Sequence, residues 1–302
     1  MAMAITFSQY GPPSVLTASQ IEVPEPGPGQ VRIRSRAVGV NPIDTRIRKG
    51  IMQGVFPVEF PMILGWDVAG EVEAAGDGAT AAVGDEVFGL AATGGYAQHA
   101  LLDRPVARPP AASWETAAAL VTPGEAAFRV LKHLAVEPGE TLLIHGAAGT
   151  VGAIAVQLAA ARGVKVVGTA APGDQESVSS LGATAVPYGD GWVERVRAAA
   201  PQGVDAVFDA SGAGVLADSV QLVGGAERIL TIADPTAAEH GVRFTGSDPT
   251  DRAPEALPLL ADLAASGDLE VPIWCTYPLA AAAQAHEDIE LRRCRGKIVL
   301  LP

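Results

Sequence analysis

Two cysteines in 302 residues, Cys275 and Cys294, are too few for a disulfide framework, and neither belongs to a C-x-x-C pair. They cannot build a cysteine-rich zinc site either, so both are read as free structural thiols. The five histidines, His99, His133, His145, His240 and His286, show no pairing at ligand spacing, and each is assigned a structural role. Basic residues are in deficit: 21 Lys and Arg against 34 Asp and Glu leave a net charge of −13. Such a chain repels polyphosphate backbones and anionic lipid surfaces, so neither nucleic acid nor membrane is expected as a partner. Solubility is the plain meaning of the charge. No apolar run approaches the roughly 20 residues that span a bilayer. The first ten residues, Met1 to Tyr10, lack a basic stretch followed by an apolar segment, so a cytoplasmic location is expected. There is no repeat at solenoid period, and Ser211 in Asp209-Ala-Ser-Gly212 lacks the nucleophile-elbow pattern of a serine hydrolase.

What is present is centred on residues 140–168. Leu142 to Ile144 form a short apolar run, Val151, Ile154, Ala155 and Leu158 recur at helical spacing, and Val164 to Val167 return to a β-branched run. This is a strand, a glycine turn, a helix and a strand. Gly146, Gly149 and Gly152 remove side chains where the backbone must turn, approach a pyrophosphate and pack helix against sheet. The pattern Ala147-x-Gly149-x-x-Gly152 is one glycine short of the usual dinucleotide fingerprint, but its strand-turn-helix setting is the one the fingerprint requires. A diphosphate there would meet the unpaired N–H groups and positive dipole end of a helix.

The flanking chain supplies the rest of an α/β architecture. Up to about Ala100 short strands are broken by Gly and Pro: Val31-Arg-Ile-Arg-Ser-Arg36 alternates as a half-exposed strand does, and Val68 to Ala75 and Asp85 to Leu90 continue the β-rich character. Thr122-Pro-Gly-Glu125 reads as a capping box with Pro at the first helical position, launching a helix through about Leu134. Val204 to Phe208, Val215 to Val223 and Arg228 to Ile232 give another strand, helix and strand, hence a doubly wound parallel sheet. A helix from about Ala253 to Ser266 and a tail, Val271 to Pro302, too short to be a domain, finish the chain. The expected division is a discontinuous β-rich domain, residues 1–120 and 248–302, around a dinucleotide-binding domain, residues 121–247.

Six motifs in one order then carry a family resemblance: Gly39-Val-Asn-Pro-Ile-Asp44, Gly65-Trp-Asp-Val-Ala-Gly70, Gly84-Asp-Glu-Val-Phe-Gly89, Gly94-Gly-Tyr-Ala97, His145-Gly-Ala-Ala-Gly-Thr-Val-Gly152 and Gly296-Lys-Ile-Val-Leu300. The chain resembles the zinc-independent medium-chain dehydrogenases/reductases of the quinone oxidoreductase, or zeta-crystallin-like, branch. The resemblance implies a GroES-like substrate domain with an inserted Rossmann domain, NADPH as cofactor and a homodimer. It implies cofactor contacts from Gly146, Ala147, Ala148, Gly149, Thr150, Val151 and Gly152, and from Ala126, Thr169 and Tyr188. It places Asn41 and Asp44 on the substrate side, with Arg46 where relatives often carry Tyr; a solvated arginine is the plain reading of Arg46. Relatives often have a Thr where Ala126 stands. Zinc-dependent cousins carry Cys where this chain has Asn41 and His where it has Trp66, and neither residue here is a usual zinc ligand. Asn41 and Asp44 also admit an ordinary turn-and-cap reading, since Asp44 could cap the helix that runs to Lys49.

No acid stands at Gly168-Thr169, where NAD-specific folds hold the ribose diol, so NADPH is expected over NADH. The following loop has no Lys or Arg, leaving Tyr188 and Thr169 for the 2′-phosphate. Without a metal to stabilise a localised alkoxide, the expected acceptor is a quinone or a conjugated enone, whose anion is delocalised. Enoyl-thioester reduction and NADPH binding without catalysis remain as alternatives.

Overall fold

The alternation at residues 31–36 becomes the first half of a ten-residue strand, Val31–Val40, whose side chains alternate between core and surface before the last four residues are buried outright. This strand organises the first of two units into which the chain divides in the computed structural model, which describes residues 1–246 and 248–302. The first unit comprises Met1–Thr122 and Leu257–Pro302, the second Pro123–Ala256.

In the first unit Val31–Val40 pairs antiparallel with Asp67–Ala75 along one edge. Its other edge takes His99–Leu102 at one end and Lys297–Leu301 at the other, with Val40 opposite Ile298. The tail thus returns to the N-terminal sheet, and that register brings the start of the last strand beside the Asn-Pro turn. Ile273–Pro278 adds in parallel to Lys297–Leu301, while Ala2–Phe7 sits between Thr17–Ile21 and Met62–Ile63 in a smaller sheet. The core beneath includes Phe7, Ile33, Val38, Ile47, Leu64, Val68, Tyr96 and Ile298. The helix Pro42–Arg48 leaves the end of the central strand directly.

The second unit is a six-stranded, wholly parallel sheet. Its spatial order is Ala183–Pro187, Lys165–Ala170, Thr141–His145, Ala206–Asp209, Ile229–Thr231 and Arg243–Phe244. Numbered by sequence, this is 3-2-1-4-5-6, the doubly wound order whose switch point lies beside the first strand. Leu142, Leu143, Ile144, Val207 and Phe208 are buried, as central strands covered on both faces require. The glycine turn at Gly146 leaves the carboxyl end of Thr141–His145 and enters the helix Thr150–Ala160.

Two helix starts differ from the sequence expectation. Thr122 does not begin a helix; it lies with Pro123 inside a 21-residue helix, Trp114–Leu134. The working start signal is Ser113, whose Oγ accepts the Thr116 N–H at 3.1 Å. Burial of Ala117, Ala118, Ala119, Leu120 and Val121 offsets the hydrogen bond that Pro123 removes. Glu125, freed from capping, accepts Arg129 Nε at 2.9 Å and the Ala253 N–H at 2.9 Å. The later helix is also shorter than expected, Ala256–Ser266.

Candidate active site

In the first unit, the strand end, the helix Pro42–Arg48 and the last strand converge on a buried polar cluster. Asp44 closes back on the helix start, its Oδ2 accepting the Asn41 N–H at 2.9 Å. The turn-and-cap reading of Asp44 therefore describes its backbone contact, but the same oxygen also accepts the Tyr96 hydroxyl at 2.9 Å. Tyr96 in turn meets His286 Nε2 at 2.9 Å, and Arg48 Nε donates to His286 Nδ1 at 3.2 Å. Arg48 is fully buried and also donates to the Gly11 carbonyl and to Glu290.

Asn41 faces a second group. Its Nδ2 donates to Asp67 Oδ2 at 2.8 Å, Lys297 Nζ donates to the Asn41 Oδ1 and, at 2.9 Å, to Asp67 Oδ2, and Thr122 donates to Asp67 Oδ1. Two buried carboxylates thus sit among Lys297, Arg48 and neutral donors. Burial raises the Asp44 carboxyl to about 7, against the hydrogen bonds from Asn41 and Tyr96 that favour its ionised form. Burial, then the nearby charges of Arg48 and Lys49, lowers His286 to about 3, so this imidazole stays neutral.

Of the three substrate-side residues taken from the sequence, Asn41 and Asp44 enter this cluster. Arg46 is exposed, and its neighbour two places on, Arg48, is the arginine that is buried. Periodicity carries that distinction, since Asp44 and Arg48 are four apart on one helix face and Arg46 is not on it. Asp67 and Lys297 are distant from Asn41 in sequence and reach it through the strands paired with Val31–Val40, while His286 reaches Tyr96 from the helix Ala282–Glu290. Among the described residues, no three His, Cys, Asp or Glu side chains converge where a metal ion could be held.

In the second unit the dinucleotide turn is built by exclusion of side chains. Gly146 has φ of 77°, and a Cβ on Gly152 would lie 2.2 Å from the Gly146 carbonyl oxygen and 2.8 Å from Ala147 Cα. Gly149 is the N-cap, and the first-turn amides of Thr150 and Val151 follow it. Ala147 is buried, its N–H donating to the Thr169 carbonyl at 3.1 Å, and Ala148 is half-buried. Ala126 is buried in the long helix. Thr169 is buried too, and its hydroxyl shares a hydrogen bond of 3.2 Å with Nδ1 of His145, its register partner on the neighbouring strand. His145 is held near 4 by burial and packs edge-on against Trp192. Tyr188 is 61% exposed, with its N–H on the Ala170 carbonyl.

A cation does stand near the loop after the second strand, on another element. Arg195, on the helix Trp192–Ala199, reaches back so that Nε donates to the Pro187 carbonyl at 3.0 Å and Nη2 to those of Tyr188 and Gly189 at 3.3 and 3.0 Å. It stands at the carboxyl end of the strand next to Lys165–Ala170. Arg195 belongs to the helix after the third strand of this sheet and lies outside the loop's own sequence.

Comparison with known proteins agrees with both halves. Residues 27–108 match the alcohol dehydrogenase GroES-like domain, and residues 181–300 match the zinc-binding dehydrogenase domain. A quinone oxidoreductase of Pseudomonas aeruginosa is 33% identical, with all of both chains aligned. Among solved structures, the quinone oxidoreductase from Coxiella burnetii is 30% identical with a TM-score of 0.90, covering 100% of this chain and 99% of that one. The Escherichia coli quinone oxidoreductase complexed with NADPH is 28% identical with a TM-score of 0.90, covering 100% of both chains. With a GroES-like β-rich domain and a Rossmann domain in one chain, and relatives above 30% identity along its whole length, the protein belongs to the quinone oxidoreductase branch of the medium-chain dehydrogenases/reductases.

Proposed function

We propose that this chain is an NADPH-dependent reductase that delivers hydride to a quinone or a conjugated enone without a metal. One observation carries the reading: Asn41 is a fixed amide donor in a buried polar cluster, and it occupies a position where zinc-dependent cousins carry a metal ligand. Trp66, at the second such position, packs edge-on against Phe56 with ring centroids 5.5 Å apart. Hydride addition to a plain ketone leaves a localised alkoxide, which a Lewis acid stabilises well. Addition to a quinone or enone leaves a phenolate or enolate, for which one positioned N–H donor is worth about 10² to 10³ in turnover.

The complex of the Escherichia coli relative with NADPH supports the same cofactor here. The turn fits a dinucleotide, since the space a Cβ would take at Gly152 is closed by backbone and the helix start presents free amides. Gly146, Ala147, Ala148, Gly149, Thr150, Val151 and Gly152 would hold the diphosphate, and Tyr188 with Arg195 the 2′-phosphate. When bound, NADPH supplies the hydride. Asn41 would then stabilise charge on the acceptor oxygen, with water protonating the product afterwards. Asp44 holds the turn that carries Asn41. No step is assigned to the exposed Arg46.

The test is an NADPH oxidation panel over benzoquinones, naphthoquinones, enones, enoyl thioesters, ketones and aldehydes, with metal analysis of the purified protein. Turnover of quinones or enones by metal-free protein is expected. Preference for enoyl thioesters would redirect the assignment to enoyl reduction, and tight NADPH binding with no turnover would make the protein a binder. Ketone reduction by metal-free protein, or zinc whose removal abolishes activity, would defeat the proposal.

A further inference from the structure

The carboxamide of Asn41 is gripped by two charged side chains, neither near it in sequence. Lys297 Nζ donates to its Oδ1, its Nδ2 donates to Asp67 Oδ2 at 2.8 Å, and Lys297 closes the triangle onto that same oxygen at 2.9 Å. All three are shut away from water, with exposures of 4% for Asn41, 0% for Asp67 and 3% for Lys297. Thr122 ties down the remaining Asp67 oxygen.

This arrangement leaves the amide one orientation. An ammonium can only donate and a carboxylate can only accept, so a flipped amide would set NH₂ against Lys297 and oxygen against Asp67. One Nδ2 hydrogen is taken by Asp67. Among the described residues the other has no acceptor, so it is the group left for a ligand. The ammonium on Oδ1 also draws electron density from the amide nitrogen, which makes the free N–H a stronger donor.

The backbone is shaped around the lysine. A Cβ on Gly39 would lie 2.7 Å from Lys297 Cε and 3.0 Å from the Ala118 carbonyl oxygen, so this position in the central strand is kept empty for the lysine stem. Burying a charged pair is costly unless its remaining donors and acceptors are used, and a hydrophobic pair of the same size would hold two strands as well. Here the pair's remaining capacity goes to Asn41 and Thr122.

We propose that Lys297 and Asp67 are positioning residues for the reaction: they hold Asn41 so that its free Nδ2–H meets the acceptor oxygen that becomes negative as hydride arrives. The inference rests on the proposed role of Asn41 as that donor. Hydride adds to the acceptor, an electron pair moves onto its oxygen, and Asn41 donates a hydrogen bond without losing its proton. Neither Lys297 nor Asp67 gives up a proton.

The test is a double-mutant cycle of Asn41→Ala and Lys297→Met, reading kcat with a quinone and Kd for NADPH. Asn41→Ala should lower kcat about 100-fold, Lys297→Met about tenfold, and the double variant should fall no further than Asn41→Ala alone, because Lys297 acts through Asn41. Kd for NADPH should stay within about twofold in all three, a split that general loosening of the fold would not produce. If Lys297→Met does not fold, Lys297→Met combined with Asp67→Asn leaves no unpaired buried charge and takes its place in the cycle, with the same tenfold loss expected. Losses that multiply would show Lys297 acting independently and overturn the inference. So would full turnover in the lysine variant when Asn41→Ala is impaired, an outcome that leaves the role of Asn41 standing. Full turnover in Asn41→Ala would remove that role, and the inference with it.

Discussion

Tyr96 donates its hydroxyl hydrogen to Asp44 Oδ2 at 2.9 Å while its oxygen faces His286 Nε2 at the same distance. The direction of this chain follows from its far end. Arg48 can only donate, so His286 Nδ1 accepts, Nε2 carries the imidazole hydrogen, and that hydrogen goes to Tyr96. A chain ending in an arginine that keeps its protons, through a histidine held near 3, fixes groups in place but does not conduct protons. Asp44 is therefore pinned through Oδ2, and its Oδ1 is buried with no partner among the described residues.

The pH dependence of stability should report Asp44. Its carboxyl ionises near the ordinary 3.8 in the unfolded chain and near 7 when folded, so between these values the folded state binds more protons. This group's contribution to stability accordingly falls as pH rises from about 4 to about 7 and is fully lost above that. Both donors use the same oxygen, so Asp44→Asn can keep them on its amide oxygen and place NH₂ at the orphaned position. The stability of Asp44→Asn relative to the parent should therefore rise across this window by on the order of a few kcal/mol, read from urea midpoints at successive pH values. A difference that stays flat from about pH 4 to about pH 8 would refute the burial effect assigned to Asp44.

Two glycines of the dinucleotide turn should behave oppositely. At Gly152 a methyl group meets a backbone oxygen at 2.2 Å and must displace the turn, whereas at Gly149 the nearest atom is the Gly146 oxygen at 3.4 Å and φ is −74°. Gly152→Ala should lose about 2 kcal/mol or more of stability, and Gly149→Ala should stay within about 0.5 kcal/mol of the parent. Thermal melting without cofactor separates the two; equal losses would mean that the turn is not closed at Gly152.

What could be read in advance was local. The glycine turn, its helix and the strands around it follow from spacing within 30 residues, and period alone makes Val31 to Arg36 a strand. The helix Trp114–Leu134 runs through Thr122 and Pro123 because the packing of Ala117 to Val121, which is tertiary, overrides the strong local signals of a proline and a capping pattern. The same limit explains the site. Asn41 and Asp44 share one short motif, but Asp67 and Lys297 reach them only through the register of Asp67–Ala75 and Lys297–Leu301 against one strand. Arg46 stands in a recognisable motif, yet the helical period buries Arg48 instead.

Arg195 should govern the choice between NADPH and NADH. The strand pairing sets Ala170 opposite Pro187, and the Tyr188 N–H on the Ala170 carbonyl holds the next loop beside the end of the second strand. The ribose of a bound dinucleotide lies at that end in this fold. No acid stands there, and Arg195 Nε and Nη2 are spent on three carbonyls, which fixes the guanidinium while leaving Nη1 without a partner among the described residues. A fixed cation with two spare N–H groups beside an exposed tyrosine suits a phosphate and offers little to a ribose hydroxyl. Arg195→Gln should thus weaken NADPH about tenfold, the worth of one charge-assisted hydrogen bond, and leave NADH within about twofold. Fluorescence titration of both cofactors against parent and variant measures this. Equal weakening of both would mean that Arg195 only shapes the loop, and an unchanged NADPH affinity would remove it from the site. A parent protein that binds NADH as tightly as NADPH would overturn the cofactor preference itself.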